Sequence, residues 1–133
     1  MSKAERQAGR EAEAAIPRIL GNTDALTATA SSDTAVLWKL TESGRQLDAN
    51  LVRLTPGRRI APHAEPDLDV LVLVVAGDGV LGAGPGYEPQ SLTTGTLLWL
   101  PHGSTRSITA GDDGLAYLTV HRRRTGLQIG KAP

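Results

Sequence analysis

The chain has 133 residues, with 14 basic and 14 acidic side chains, 40% apolar residues, 3% aromatics, no cysteine and no phenylalanine. Such a length holds one domain, whose core must be built from Leu, Val, Ile and Ala. The balanced charge exerts no general pull on nucleic acid or anionic membrane, and the missing cysteine excludes disulfides and thiolate chemistry.

Residues 2–15 read as a short polar helix. Ser2 and Glu5 stand at capping-box spacing, the stretch is rich in Ala, Glu, Arg and Gln, and Pro17 ends it. Its apolar face is mostly alanine, so residues 1–22 form a helical or disordered arm. The stretch "MSKAERQAGREAEAAIPRIL" lacks the apolar centre of a secretory signal. No window nears the roughly 18 continuous apolar residues of a membrane span. The expected location is the cytoplasm, with no membrane partner.

From residue 25 the pattern changes. The runs "LTATA", "TAVLWKL", "LDANLVRL", "DVLVLVVA", "VLGAG", "TLLWL", "STRSITA" and "LAYLTVHRR" are separated by the turn signals "TPG", "GDG", "GPG", "PHG" and "GDDG". Many short strands at this spacing, without a long helical period between them, predict an all-β antiparallel sandwich or barrel over residues 23–125, with 126–133 as a tail. "DVLVLVVA" is apolar on both phases. That strand is expected to be covered on both sides, between packed sheets or at an oligomer interface.

The stretch "PHAEPDLD" is the chemically dense part. His63, Glu65, Asp67 and Asp69 share one period-2 phase with Leu71 and Leu73, unless a bulge near Pro66 breaks it. Buried acidic groups in such a row need a neutraliser. His121 shares a phase with Leu115, Tyr117 and Thr119 in the last run.

At this point the chain resembles the cupin superfamily. Gly57, five residues, His63, Ala64, Glu65, three residues, Asp69, seven residues and Gly77 follow its first motif. Gly95, "TLLWL", Pro101, His102, Gly103, "ST", Arg106, "SIT" and Ala110 follow its second. The resemblance spans about residues 35–122 and implies a double-stranded β-helix, or jelly-roll barrel, of the small single-domain type. It also implies two histidines and a glutamate from the first motif and a histidine from the second as metal ligands. Only His63 keeps its residue type. The other three positions hold Glu65, Asp69 and Arg106, and a guanidinium has no lone pair for a metal.

The expected function is therefore small-molecule binding inside the barrel, without a cofactor. His63, Glu65, Asp69 and Arg106 line the site, with Leu71, Leu73, Trp99 and Ile108 as apolar walls. Catalysis, if present, falls to His63 as base and Arg106 as anion clamp or carboxylate partner. The alternative is a metal-dependent dioxygenase, isomerase or cyclase, with iron, manganese, nickel or zinc on His63, Glu65, Asp69 and His121. The polar groups can also form nothing more than a solvated network.

Other features carry less. His102 reads as an exposed turn residue. Trp38 and Trp99 read as core or pocket wall, and Tyr87 as a loop residue near a pocket mouth or subunit contact. "HRRR" at 121–124 has no interleaved aromatics, so nucleic acid is not an expected partner. "GDGVLGAGPG" lacks the strand–loop–helix context of a phosphate loop. Leu127 and Ile129, beyond the last strand, point to a homodimer, with the tail or residues 25–40 crossing between subunits.

Overall fold

The computed structural model describes residues 15–29 and 35–124. The helix expected over 2–15 and the tail 126–133 therefore lie outside the described residues, apart from Ala15. One short helix, α1 (Thr23–Thr29), precedes seven strands: β1 (Val36–Lys39), β2 (Leu47–Leu54), β3 (Arg59–Ala64), β4 (Val70–Gly82), β5 (Gln90–Thr93), β6 (Leu97–Leu100) and β7 (Thr105–Arg122).

Helix α1 replaces the strand expected at "LTATA". The reason is local: the Asn22 side chain accepts hydrogen bonds from the Asp24 and Ala25 amides at 2.9 and 3.2 Å, which caps the first turn. Thr27 and Thr29 return their hydroxyls to carbonyls one turn back.

All strand pairs are antiparallel, in the order β1-β2-β7-β4-β5, with β3 on β7 and β6 on β4. The long strands β4 and β7 run side by side from Leu71↔Val120 to Gly82↔Ser107. Each half of this pair has its own flanks. β6 pairs with residues 70–73 and β2 with 115–122 at one end. β5 pairs with 78–81 and β3 with 105–109 at the other. The two halves form two layers joined by a bend, which is an antiparallel double-stranded β-helix.

The bend explains two turn signals that do not turn the chain. "GDG" lies within β4 and "GDDG" within β7, and the register jumps there from Gly77↔Leu115 to Gly79↔Ala110. Gly77 has φ 77°, and a Cβ on it would overlap the carbonyl of Gly114. Only glycine lets the two backbones approach and bend together.

The interior holds Val70, Val72 and Val74 of β4, Leu98 and Leu100 of β6, and Ile108, Leu115 and Tyr117 of β7. The outer face behaves differently at its two ends. Near β1 and β2, Leu51 is fully buried in a groove shared with Leu20, Leu26 and Trp38. Near β4 and β6, Leu71, Leu97 and Trp99 face solvent. The second phase of "DVLVLVVA" is thus open at Leu71 within one chain, while Leu73 and Val75 are half-buried.

Candidate functional site

The barrel encloses a cavity of about 270 Å³ with an apolar floor and a polar mouth. Ile60, Leu68, Val70, Val72, Leu100 and Ile108 make the floor. His63, Glu65, Arg106, Tyr117, Thr119, His121 and Arg124 carry the polar atoms. The inward phase of β7 supplies Tyr117, Thr119 and His121, in agreement with the phase read from sequence.

Arg106 is 5% exposed and is the buried charged residue of the described chain. It stands opposite His63 in the β3–β7 register. Its Nη1 donates to the Ser104 carbonyl at 3.3 Å and, more weakly, to the Ser104 hydroxyl at 3.5 Å. Among the described residues no carboxylate lies within ion-pair distance of it. Its other nitrogens are not sealed away, because no buried side-chain nitrogen or oxygen among the described residues lacks a partner.

Neither of the two carboxylates expected at the site, Glu65 and Asp69, pairs with Arg106: Glu65 pairs with Arg124, at 2.8 Å. It also accepts the Asp67 amide at 3.1 Å. Arg122 donates to the Asp67 carbonyl at 3.2 Å. Two arginines of "HRRR" therefore strap the 65–67 turn to the end of β7. Burial opposes ionisation of Glu65, but the Asp67 amide and the Arg124 guanidinium outweigh it, with Arg106 adding its field. The Glu65 carboxyl is consequently held below the usual carboxylate range.

Both imidazoles at the cavity are fixed the same way. His63 Nδ1 lies 3.0 Å from the Ala61 carbonyl, and His121 Nδ1 lies 2.7 Å from the Arg122 carbonyl. A carbonyl only accepts, so Nδ1 carries the proton in each ring and Nε2 is the lone-pair nitrogen when neutral. Tyr117 contributes an acid. Burial pushes its phenol up to about 12, so it remains a donor at physiological pH. A raised pKa stabilises the fold fully below the ordinary value near 10 and loses that contribution as pH rises through about 12. A phenolate absorbance titration should show a late step near pH 12 that disappears in Tyr117→Phe.

Four expected site residues lie elsewhere. Asp69, Leu71, Leu73 and Trp99 do not line the cavity. The cause is the break at Pro66: β3 ends at Ala64, residues 65–69 cross the rim, and β4 begins on the opposite phase. Val70 and Val72 then face inward, while Leu71, Leu73 and their partners Trp99 and Leu97 face out. Trp99 is 61% exposed, and thus neither core nor pocket wall. Tyr87 is exposed and outside the cavity lining. The residues that sequence reading left out of the site are Tyr117, Thr119, Arg124 and the floor from Ile60 to Leu100. The phase of His121 pointed to the first two, whereas the Arg124–Glu65 contact spans 59 residues and had no local signal.

Asp69 has a structural role. It accepts the His102 amide at 2.8 Å and lies 2.7 Å from His102 Nδ1, which holds the exposed "PHG" turn. The His102 amide, then its ring, lowers the Asp69 carboxyl below its ordinary value. A depressed carboxylate stabilises the fold above its unfolded pKa, and this is lost as pH falls through the folded one. Asp69→Ala should therefore flatten the acid limb of a melting profile below about pH 4 and leave ligand affinity unchanged.

Neither a family model nor a curated protein matches the sequence. Solved structures do match the fold. A cupin-2 domain protein of Shewanella frigidimarina superposes with a TM-score of 0.64 at 14% identity, over 78% of this chain and 95% of its own. The polyketide cyclase RemF of Streptomyces resistomycificus gives 0.56 at 15% identity, over 61% and 57%. A cupin-superfamily sugar phosphate isomerase of Silicibacter pomeroyi gives 0.53 at 26% identity, over 60% and 52%. The chain has the cupin fold.

The chain does not present the metal-ligand set that the resemblance implies. Among the described residues no group of three or more His, Asp or Glu side chains is placed to hold an ion. Asp69 is turned away to His102, Glu65 is engaged by Arg124, and Arg106 brings a guanidinium to the cavity. The donor set does not fit a metal. Among the described residues no helix is long and apolar enough to cross a membrane.

Proposed function

We propose that this cupin binds a small organic anion in its barrel without a metal, and that two copies associate as a homodimer with one cavity per chain. The observation that carries the binding reading is Arg106, a buried guanidinium at the cavity with no carboxylate partner among the described residues. A buried cation without a counter-charge is unfavourable alone, and a ligand carboxylate supplies the bidentate partner that the fold withholds. The second arginine, Arg124, is already neutralised by Glu65, so the mouth keeps a net positive balance.

The remaining groups define the body of the ligand. The apolar floor accepts a compact hydrocarbon portion, and 270 Å³ limits it to a small molecule. Tyr117 offers a phenol donor, and His63 and His121 offer Nε2 acceptors suited to a ligand hydroxyl. An acid and two bases at one cavity also suit proton transfer to a bound substrate.

The test is calorimetric titration with small aliphatic and hydroxylated carboxylates and their uncharged amides. Carboxylates should bind and the isosteric amides should not, and equal binding of both would overturn the anion reading. A separate arm loads the protein with iron, manganese, nickel or zinc and desalts it. Near-stoichiometric metal that is lost in His63→Ala would overturn the metal-free part.

A further inference from the structure

The mouth of the cavity holds a charged pair, Glu65 and Arg124, beside the Arg106 guanidinium. Glu65 is the one carboxylate among the described lining residues, and it lies within the field of Arg106. An ammonium bound next to a carboxylate on Arg106 would need Glu65 as its partner. Glu65 is already engaged. One of its oxygens accepts the Asp67 amide at 3.1 Å, and the other accepts Arg124 Nη2 at 2.8 Å. Arg124 is itself held by the backbone around it. Its amide donates to the Asp48 carboxylate at 3.4 Å, and the Arg123 amide donates to the Gln46 carbonyl at 2.8 Å. Arg45 fixes Asp48 at 3.0 Å. Asp69, on the same rim, is taken by His102.

We infer that the Glu65–Arg124 pair sets the charge of the ligand: the cavity takes monoanionic 2-hydroxy acids and rejects 2-amino acids and dicarboxylates of similar skeleton, a specificity that rests on the proposed binding of an anion at Arg106. With the imidazoles neutral, Arg106, Arg124 and Glu65 leave one net positive charge at the mouth. A monoanion cancels it. A zwitterion brings no net charge and leaves the site cationic. A dianion overfills it next to Glu65. Beside an apolar floor both imbalances are costly. A hydroxyl next to the ligand carboxylate has His63 Nε2 to donate to, because His63 stands opposite Arg106 in the β3–β7 register. An ammonium would make the same hydrogen bond but would add a positive charge beside two guanidiniums, with the one lining carboxylate already paired. Selection comes from what the site withholds as much as from what it offers.

Three matched series test this by calorimetric titration near pH 8, above the ordinary histidine range. They are short 2-hydroxy acids from lactate upward, the corresponding 2-amino acids and the corresponding alkylmalonates. The wild type should bind the hydroxy acids roughly 30-fold or more above the other two series. Arg124→Met frees Glu65 and should shift the preference towards the amino acids by about tenfold or more. Glu65→Gln frees Arg124 and should shift it towards the malonates by as much. Each preference is a ratio read on one protein, so a partly unfolded variant leaves it unchanged. Equal wild-type affinity for hydroxy and amino acids would overturn the inference and leave anion binding intact. Variants that weaken all three series by one factor would also overturn it, since the pair would then only strap the 65–67 turn. Failure of every series to bind the wild type removes anion binding itself, and this specificity with it.

Discussion

Replacing Arg106 by methionine should abolish tight binding of the anionic ligand while leaving the empty protein as stable as before, or more so. Methionine keeps the apolar stem that packs beside His63 and removes the charge. Truncating one partner of a buried charge pair costs about 3 kcal/mol, roughly 100-fold in affinity. Stability should move the other way. Arg106 makes only hydrogen bonds to Ser104 and no described ion pair, so its loss removes little that holds the fold together. Replacing buried charges by apolar groups of similar volume is commonly neutral or stabilising by about 1–4 kcal/mol. Arg106→Lys keeps the charge without the planar fork, and should recover part of the affinity and none of the bidentate geometry. Chemical denaturation and calorimetry on the same three proteins test this. If Arg106→Met loses about 3 kcal/mol of stability, the guanidinium is a structural brace and the ligand reading fails.

Gly77→Ala should be among the most damaging single changes outside the cavity, lowering stability by roughly 3 kcal/mol or more. Two penalties act together. The residue has φ 77°, where a Cβ is strained, and that Cβ would overlap the backbone carbonyl of Gly114. Backbone cannot swing aside as a side-chain tip can, so β4 and β7 would have to part at their shared bend. The next inward pair along this ladder is Val74 opposite Tyr117, so ligand affinity should fall with stability. Gly86→Ala is the control. Gly86 has φ 89° with no atom near the added methyl, so only the conformational term of about 1 kcal/mol applies. Urea denaturation of the two variants separates strain from overlap, and equal losses would show that the close approach contributes nothing.

The framework of Gly57, Gly77, Gly95, Pro101 and Gly103 was legible in the chain, and so was the all-β barrel. These residues act through their own backbone preferences, which travel with them wherever the strand lies. His63, Arg106, Ile108 and His121 line one cavity on the alternation of β3 and β7, and Glu65 joins them from the turn after β3.

Other features depended on the assembled chain. Alternation counts only within an unbroken strand, so the rim crossing at Pro66 moved Asp69, Leu71 and Leu73 off the cavity and exposed Trp99. Glu65 had two arginines in reach of its chemistry, and only the meeting of residues 65 and 124 across the barrel mouth chose Arg124. That choice left Arg106 without a described counter-ion. The sequence by itself determined the barrel, its turns and the residue types at its mouth, because backbone preference and hydrophobic period are local. The tertiary structure decided which charges meet and which apolar phase stays open, because those depend on distances between strands that no local pattern records.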